Sequence, residues 1–449
     1  MHGPVPMPVP NASVGGSRTP PPGAAGPMSL SATALPGVDQ SLVGRPLAGE
    51  TSGGPVASSG LADASRTADT PPPAAVQGGR RPDPVDAPAA AADPAVPVDP
   101  QRDRFGPAEL ALVLSHYDLG TLTRIRDYPR GSRRAPKLLI QNATAPFLLK
   151  RRARGKDDLH RVAFCHAVQA HLGARQFPLP RLIGTRDHNN SMVQLNDAAY
   201  ELFEFIKGTP FDSSREATLE AGKILGLFHK LLRDFETSYP SVKGTYHASR
   251  TVAAALNRIP DTIAKTDPSA DVSAVTAASQ RLHEAYLEAI RTVERAGMNQ
   301  WPTQVIHTDW HPGNMLFRGT RVVAVIDFDA ARYAQRVIDV ANGALQFSIL
   351  GDKKHRAGTP DTWPAHLDEQ RFLTFLAGYD SVPEAVLSRA ELRAVPALMT
   401  QALIAEAALP IATTGKFSRL PGAPFLGMVQ RKVDWLTANA ERLVRLADG

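Results

Sequence analysis

Two apolar runs in the last third of the chain each lead into a carboxylate. The first reads Val305-Ile306-His307-Thr308-Asp309-Trp310-His311-Pro312-Gly313-Asn314, and the second Val323-Ala324-Val325-Ile326-Asp327-Phe328-Asp329. Polar residues at strand ends, on loops fixed by buried strands, are well placed for catalysis. Between the runs Pro312-Gly313 turns the chain back, so that Asn314 can face the same space as Asp309. Three kinds of arrangement fit. His307, Asp309 and His311 alternate as ligands of a transition metal with Asp327 would, but Asp309 and Asn314 are oxygen donors better matched to a hard cation. The same residues would equally brace a turn, and for His307 alone a satisfied core histidine is the simplest account. In the third arrangement, Asp309 accepts the proton of a substrate hydroxyl, with an Asn five residues on and an Asp thirteen beyond that. That is the order of parts used in phosphoryl transfer.

The surrounding elements decide whether these residues meet. Residues 119–128, 137–141 and 147–150 read as three strands, joined by the Pro- and Gly-containing loop 129–136 and a turn at Asn142 to Ala145. That pattern predicts an antiparallel meander. Residues 157–172 switch to helical spacing, and extended runs at 192–195 and 200–206 follow, closed by Lys207-Gly208-Thr209-Pro210. Over 216–235 the apolar positions Leu219, Ile224, Leu227, Phe228, Leu231, Leu232 and Phe235 fall on one helical face. A helix at 272–296 precedes strand signals at 303–307, 315–317 and 322–328, and helices dominate from residue 339. The layout is α+β: a small antiparallel-sheet lobe at 104–206 and a larger, mainly helical lobe at 207–449.

The first hundred residues hold 20 of the 39 prolines and no Phe, Tyr or Trp. Such a segment buries too little apolar surface to offset about 1–2 kcal/mol of backbone entropy per residue, which predicts a disordered tail over 1–103. Weak docking to a partner through its proline clusters is the functional alternative. The tail carries a net −3, leaving +9 on the remainder of a chain whose total is +6. The dispersed Lys and Arg come without an aromatic stacking platform, which argues against nucleic acid. One Cys excludes an internal disulfide framework and points to a cytoplasmic protein. No signal peptide is read at the amino terminus. The apolar stretch 394–412 is interrupted by Pro396, Gln401, Glu406 and Pro410 and is read as a buried helix, not a membrane span.

Over residues 119–446 the sequence resembles the aminoglycoside phosphotransferase and choline kinase group, including its homoserine kinase branch. The resemblance rests on the loop His307-Thr308-Asp309 to Asn314, with Thr308 where glycine is usual, and on Ile326-Asp327-Phe328. Leu225 to His229 and Asp339-Val340-Ala341 are further matches. It implies a protein-kinase-like two-lobed fold and an ATP- and Mg²⁺-dependent kinase for a small hydroxylated acceptor. In that frame Asp309 is the catalytic base, and Asn314 and Asp327 hold the metal. Lys150 contacts the nucleotide phosphates, Gly131 and Ser132 offer backbone donors to them, and the main chain at Glu204 and Ile206 meets adenine. One part of the frame has no counterpart: the helix after the third strand lacks the carboxylate that would pair with Lys150. His166 sits about where it belongs. A catalytically silent binding or coat-type protein is therefore the alternative. The segment from Asn342 to Arg356 is neutral and then basic, which disfavours a polycationic aminoglycoside and favours a homoserine-like amino alcohol or a sugar.

Overall fold

The computed structural model describes residues 102–195, 197–350 and 359–448. The readings made of residues 1–101 and of the basic run at Lys353, Lys354 and Arg356 lie outside them; Arg102 and Asp103, the last two residues of the expected tail, are instead bonded to the 129–136 loop, Asp103 through its N–H to the Arg133 carbonyl at 3.0 Å. After α1 (Pro107–Leu114) come β1 (Leu122–Asp127), β2 (Lys137–Asn142) and β3 (Pro146–Arg151), then α2 (Leu159–Ala174), β4 (Val193–Leu195) and β5 (Ala198–Glu204). The five strands form one antiparallel sheet in the order β1-β2-β3-β5-β4. The expected meander is present. Its second turn is set by Asn142, whose side-chain oxygen accepts from the N–H groups of Thr144 and Ala145 at 2.8 and 2.7 Å. Leu138, Ile140, Leu149, Tyr200 and Leu202 build a small core with Val113 and Tyr117.

The second lobe contains α3 (Arg215–Leu231), α4 (Arg250–Thr266) and α5 (Val272–Arg295), followed by β6 (Thr303–Ile306), β7 (Met315–Arg318), β8 (Arg321–Val325) and β9 (Arg332–Gln335). Then come α6 (Val337–Ser348), α7 (Glu369–Asp380), α8 (Arg389–Thr414), β10 (Lys416–Phe417), β11 (Leu420–Pro421) and α9 (Gly422–Ala447). The strand block differs from the expected run of three. β6 pairs with β9, which the sequence reading missed, and β7 pairs with β8. The third expected strand stops at Val325 because Asp327 takes a left-handed conformation, φ 68°, that no strand continues through.

Helix α3 lies so close to α7 that a Cβ on Gly222 would sit 2.1 Å from the Phe375 carbonyl, and one on Gly378 2.1 Å from that of Leu219. Leu219 itself, placed on the apolar face by its spacing, is 44% exposed: its backbone, not its side chain, makes the contact. Helix α8 runs unbroken through Pro396 and Pro410. The prolines therefore do not interrupt it, and it is apolar enough to cross a membrane by length and composition; burial of 89% of its apolar window makes it the core helix expected. The linker after β5 is pinned to β7 by paired main-chain bonds between Thr209 and Phe317 of 2.8 and 2.9 Å. Gly208 permits this approach, since a Cβ there would stand 2.8 Å from that of Leu316.

Candidate active site

Asp339, in the first turn of α6, holds the loop after β6. Its two oxygens accept the N–H groups of His307 and Thr308 at 2.6 Å each, and His229 from α3 reaches the same carboxylate at 3.3 Å. Tyr379 of α7 bonds the other ring nitrogen of His229. Thr308 is left-handed, φ 63°, which accounts for the glycine more usual there; its hydroxyl donates to the Ala330 carbonyl at 2.7 Å and anchors the strained residue. This framework presents Asp309, 5% exposed, beside Asn314, 1% exposed. The Asn314 amide N–H group donates to Asp309 Oδ2 at 2.7 Å and to its carbonyl at 3.0 Å. The oxygen of that amide is then the atom it can offer a cation. His311 stands 3.4 Å from the other Asp309 oxygen and is turned by a bond from the Gly313 N–H.

His307 is a core histidine, but not the satisfied one of the sequence reading: its Nδ1 accepts from the Asp309 N–H at 3.3 Å, while its buried Nε2 has no hydrogen-bond partner among the described residues. Its ring packs against Phe228, Trp310 and Phe328, and burial lowers its basicity against the pull of Asp339, Asp309 and Asp327. Among the described residues no three His, Cys, Asp or Glu side chains gather as a metal cluster, so a transition-metal site built on His307, Asp309 and His311 is not assembled. Asn314 and Asp327 carry oxygen donors of the kind a hard cation takes, and the Ile326 N–H beside Asp327 donates to the Asn314 carbonyl at 2.9 Å.

Lys150, in β3, points into a cluster of charges that the sequence reading did not see. It stands 3.1 Å from Asp329 Oδ2 and 3.4 Å from Glu201 Oε2. Arg152 bridges the same two carboxylates, at 2.6 Å to Glu201 and 2.9 Å to Asp329. His166 Nε2 is 2.7 Å from Glu201, while its Nδ1 meets the Ser191 hydroxyl at 2.8 Å. Arg161 of α2 donates to the Asp329 carbonyl. Burial would lower the lysine's affinity for its proton, but Asp329 and Glu201 outweigh it and hold Lys150 above the ordinary lysine range. Glu201 and Asp329 are in turn held well below the carboxylate range, burial being overcome by Arg152 and then Lys150. A carboxylate beside Lys150 is thus found on β5 and not on α2, and Arg152, 3% exposed, is buried with it. The signal was a Glu set between Tyr200 and Leu202 in an apolar strand.

Gly131 and Ser132 lie on the β1–β2 loop, which enters β2 at Lys137, the register partner of Lys150. Gly131 is left-handed, φ 80°, and the carbonyls of Gly131 and Ser132 accept from the Arg102 side chain at 3.1 and 2.9 Å. Glu204 closes β5; its N–H donates to the Arg181 carbonyl at 2.9 Å and its side chain pairs with Arg181. For a ligand at the linker, Glu204 therefore contributes its carbonyl and not its N–H. Ile206 follows on the segment leading to Gly208.

The profile of the phosphotransferase enzyme family (APH) matches residues 126–382, which run from the end of β1 to just past α7 and include Lys150, Glu201, Asp309, Asn314 and Asp327. The chain belongs to this family. It is a phosphotransferase with a small-molecule alcohol as acceptor. It is 26% identical over 351 residues to the homoserine kinase of Xanthobacter autotrophicus, covering 76% of this chain and 90% of that one. Its fold is that of an aminoglycoside phosphotransferase from Alicyclobacillus acidocaldarius, with a TM-score of 0.57, 18% identity and coverage of 77% and 98%. An amicoumacin kinase solved with AMP-PNP, Ca²⁺ and amicoumacin matches with a TM-score of 0.50 and 13% identity over 74% of this chain and 92% of its own.

Proposed function

We propose that the chain is a cytoplasmic, Mg²⁺-ATP-dependent kinase that phosphorylates the hydroxyl of a homoserine-like amino alcohol. The observation that carries this reading is the Asp309–Asn314 pair, buried and bonded at 2.7 Å on a loop clamped by Asp339. Asp309 is the base: it takes the hydroxyl proton as the acceptor oxygen attacks, and the Asn314 amide keeps its carboxylate aimed. The Asn314 amide oxygen and Asp327 would hold the metal, which when bound neutralises charge on the nucleotide phosphates. Lys150 holds those phosphates from the sheet lobe, the Gly131-Ser132 turn covers them, and the Glu204 carbonyl with the Ile206 N–H grips the adenine edge. Positioning and electrostatics supply most of the rate.

The amino group of the acceptor is supported by Glu406 of α8. Its carboxylate accepts a 2.7 Å bond from Gln346, and Gln346 lies one helical turn beyond Asn342, which bonds the Trp310 carbonyl. Burial pushes Glu406 up to about 7 against His311 and Gln346, with Asp309 adding to the rise, so it lies within reach of the base's charge. The homoserine kinase similarity points the same way. A phosphate-transfer screen with Mg²⁺-ATP over amino alcohols, sugars and aminoglycosides tests the reading. Transfer to a small amino alcohol is expected; nucleotide binding without transfer to any acceptor would leave the silent binding protein instead.

A further inference from the structure

Lys150 and Glu201 are direct register partners of the β3–β5 ladder. Side chains opposite one another in an antiparallel pair emerge on the same face, with Cβ atoms about 5 Å apart. Their contact is therefore built into the sheet and needs no docked helix. We propose that Glu201 is the residue that positions Lys150 for the nucleotide phosphates, replacing a helix-borne carboxylate with one on the neighbouring strand. The proposal rests on the reading of Lys150 given above.

Three features support it. Glu201 is 1% exposed and is fixed from three sides, by Lys150, by Arg152 at 2.6 Å and by His166 at 2.7 Å. A carboxylate so held cannot follow the lysine about, so the lysine must come to it. Asp329, the other partner of Lys150, keeps Arg152 at 2.9 Å and can release the lysine to a phosphate without being left unpaired. Glu201 then remains as the permanent counterion, and Asp329 as the exchangeable one. Helix α2 braces this group, through His166 to Glu201 and Arg161 to the Asp329 carbonyl. A shift of α2 would loosen the braces but would not separate Lys150 from Glu201.

The experiment uses the full chain and two readouts. Acylation of Lys150 by an amine-reactive ester, mapped by mass spectrometry at pH 9, reports the lysine's proton affinity and needs no nucleotide. Calorimetric binding of Mg²⁺-ADP reports the phosphate contact. Glu201→Gln should speed Lys150 acylation about tenfold or more and weaken Mg²⁺-ADP by about tenfold, the effect of losing one partner of a buried ion pair. Glu201→Asp should fall between. Because a buried Gln beside Arg152 can unsettle the lobe, the decisive variant is the relocation His166→Glu with Glu201→His, set against Glu201→His alone. Recovery of both readouts in the double variant supports the proposal, since it shows that the carboxylate acts on the lysine from either element. Unchanged acylation in Glu201→Gln overturns the pairing. Faster acylation with unchanged Mg²⁺-ADP affinity overturns the phosphate-holding role of Lys150 while leaving the ion pair intact, so the two failures are told apart.

Discussion

The base loop and the lysine cluster face the same chemistry but are built in opposite ways. Asp309, Asn314 and Asp327 come from one stretch of nineteen residues, set by two short strand pairs and clamped by Asp339. Lys150, Arg152, His166, Glu201 and Asp329 come from β3 and the residue after it, α2, β5 and the turn after β8, and each ion pair among them joins residues at least 35 apart in sequence. The loop is rigid because its backbone is bonded. The cluster is rigid because its charges cancel: two cations and two carboxylates, each cation touching both. A compact backbone motif tolerates little substitution, whereas a cluster of ion pairs can exchange one partner for a ligand and stay neutralised.

The largest effect that would sharpen this contrast lies in the loop. Asp309→Asn should keep the fold and the nucleotide affinity and lower kcat by about 10² to 10⁴, as expected for loss of a general base. Steady-state transfer with Mg²⁺-ATP and the accepted amino alcohol measures it. A comparable rise in nucleotide KM with little change in kcat would break the division of labour between the two regions.

The clamp comes next. Asp339→Asn leaves one of two buried N–H groups, those of His307 and Thr308, facing an amide donor instead of an acceptor. An unsatisfied buried donor costs about 1–3 kcal/mol, so the denaturation midpoint should fall and kcat with it, because the strained Thr308 loses its support. If only stability fell, the loop would owe its geometry to the strand pairs rather than to Asp339.

The same difference explains what the sequence disclosed. A motif confined to one loop shows its spacing directly, and Asp309, Asn314 and Asp327 could be picked out with their order. Strand register is invisible in a single sequence, so Glu201 passed as one more strand residue and His166 was left as a weak substitute for a carboxylate standing beside it. The meander, the linker, α2, α3 and α5 were legible from apolar period and turn residues, whereas α1 and α4 were not picked out. β9 and the early end of β8 were not legible: Asp327 is left-handed and overrides the strand propensity of Ile326 and Phe328, which the expected third strand included. The buried helix α8 was legible, although Pro396 and Pro410 lie inside it without breaking it.

Acid should separate the regions further. Glu201 and Asp329 have folded affinities for protons well below their ordinary values of 4.5 and 3.8. The unfolded chain therefore binds more protons than the folded one as these groups titrate. Their stabilisation is complete above about pH 4.5 and is lost progressively as pH falls below it. Unfolding temperatures measured from pH 6 down to pH 3 should drop, and the double variant Glu201→Gln with Asp329→Asn should show a shallower slope. An equal slope in that variant would mean the cluster's charges are not what its neutrality suggests.

Glu406 provides the smallest effect and has the opposite sign. Its folded value, about 7, lies above the ordinary 4.5, so folding favours the protonated form. Its contribution to stability is present below pH 4.5, declines as pH rises to about 7 and is constant beyond. Glu406→Gln should remove that decline, gaining stability at pH 8 relative to the native chain and none at pH 4. The charges facing Glu406 are those of His311 and Asp309 on the loop, with the Gln346 amide from α6 as its bonded partner. An acceptor ammonium placed there favours the ionised carboxylate, so the KM of an amino alcohol should fall as pH rises through about 7. An ion pair of about 1 kcal/mol corresponds to about fivefold in KM. Glu406→Gln should lose that fivefold for an amino alcohol and leave an acceptor without an amino group unaffected. A loss shared equally by both acceptors would make Glu406 part of the loop's support, and the acceptor's amino group would have to be read elsewhere.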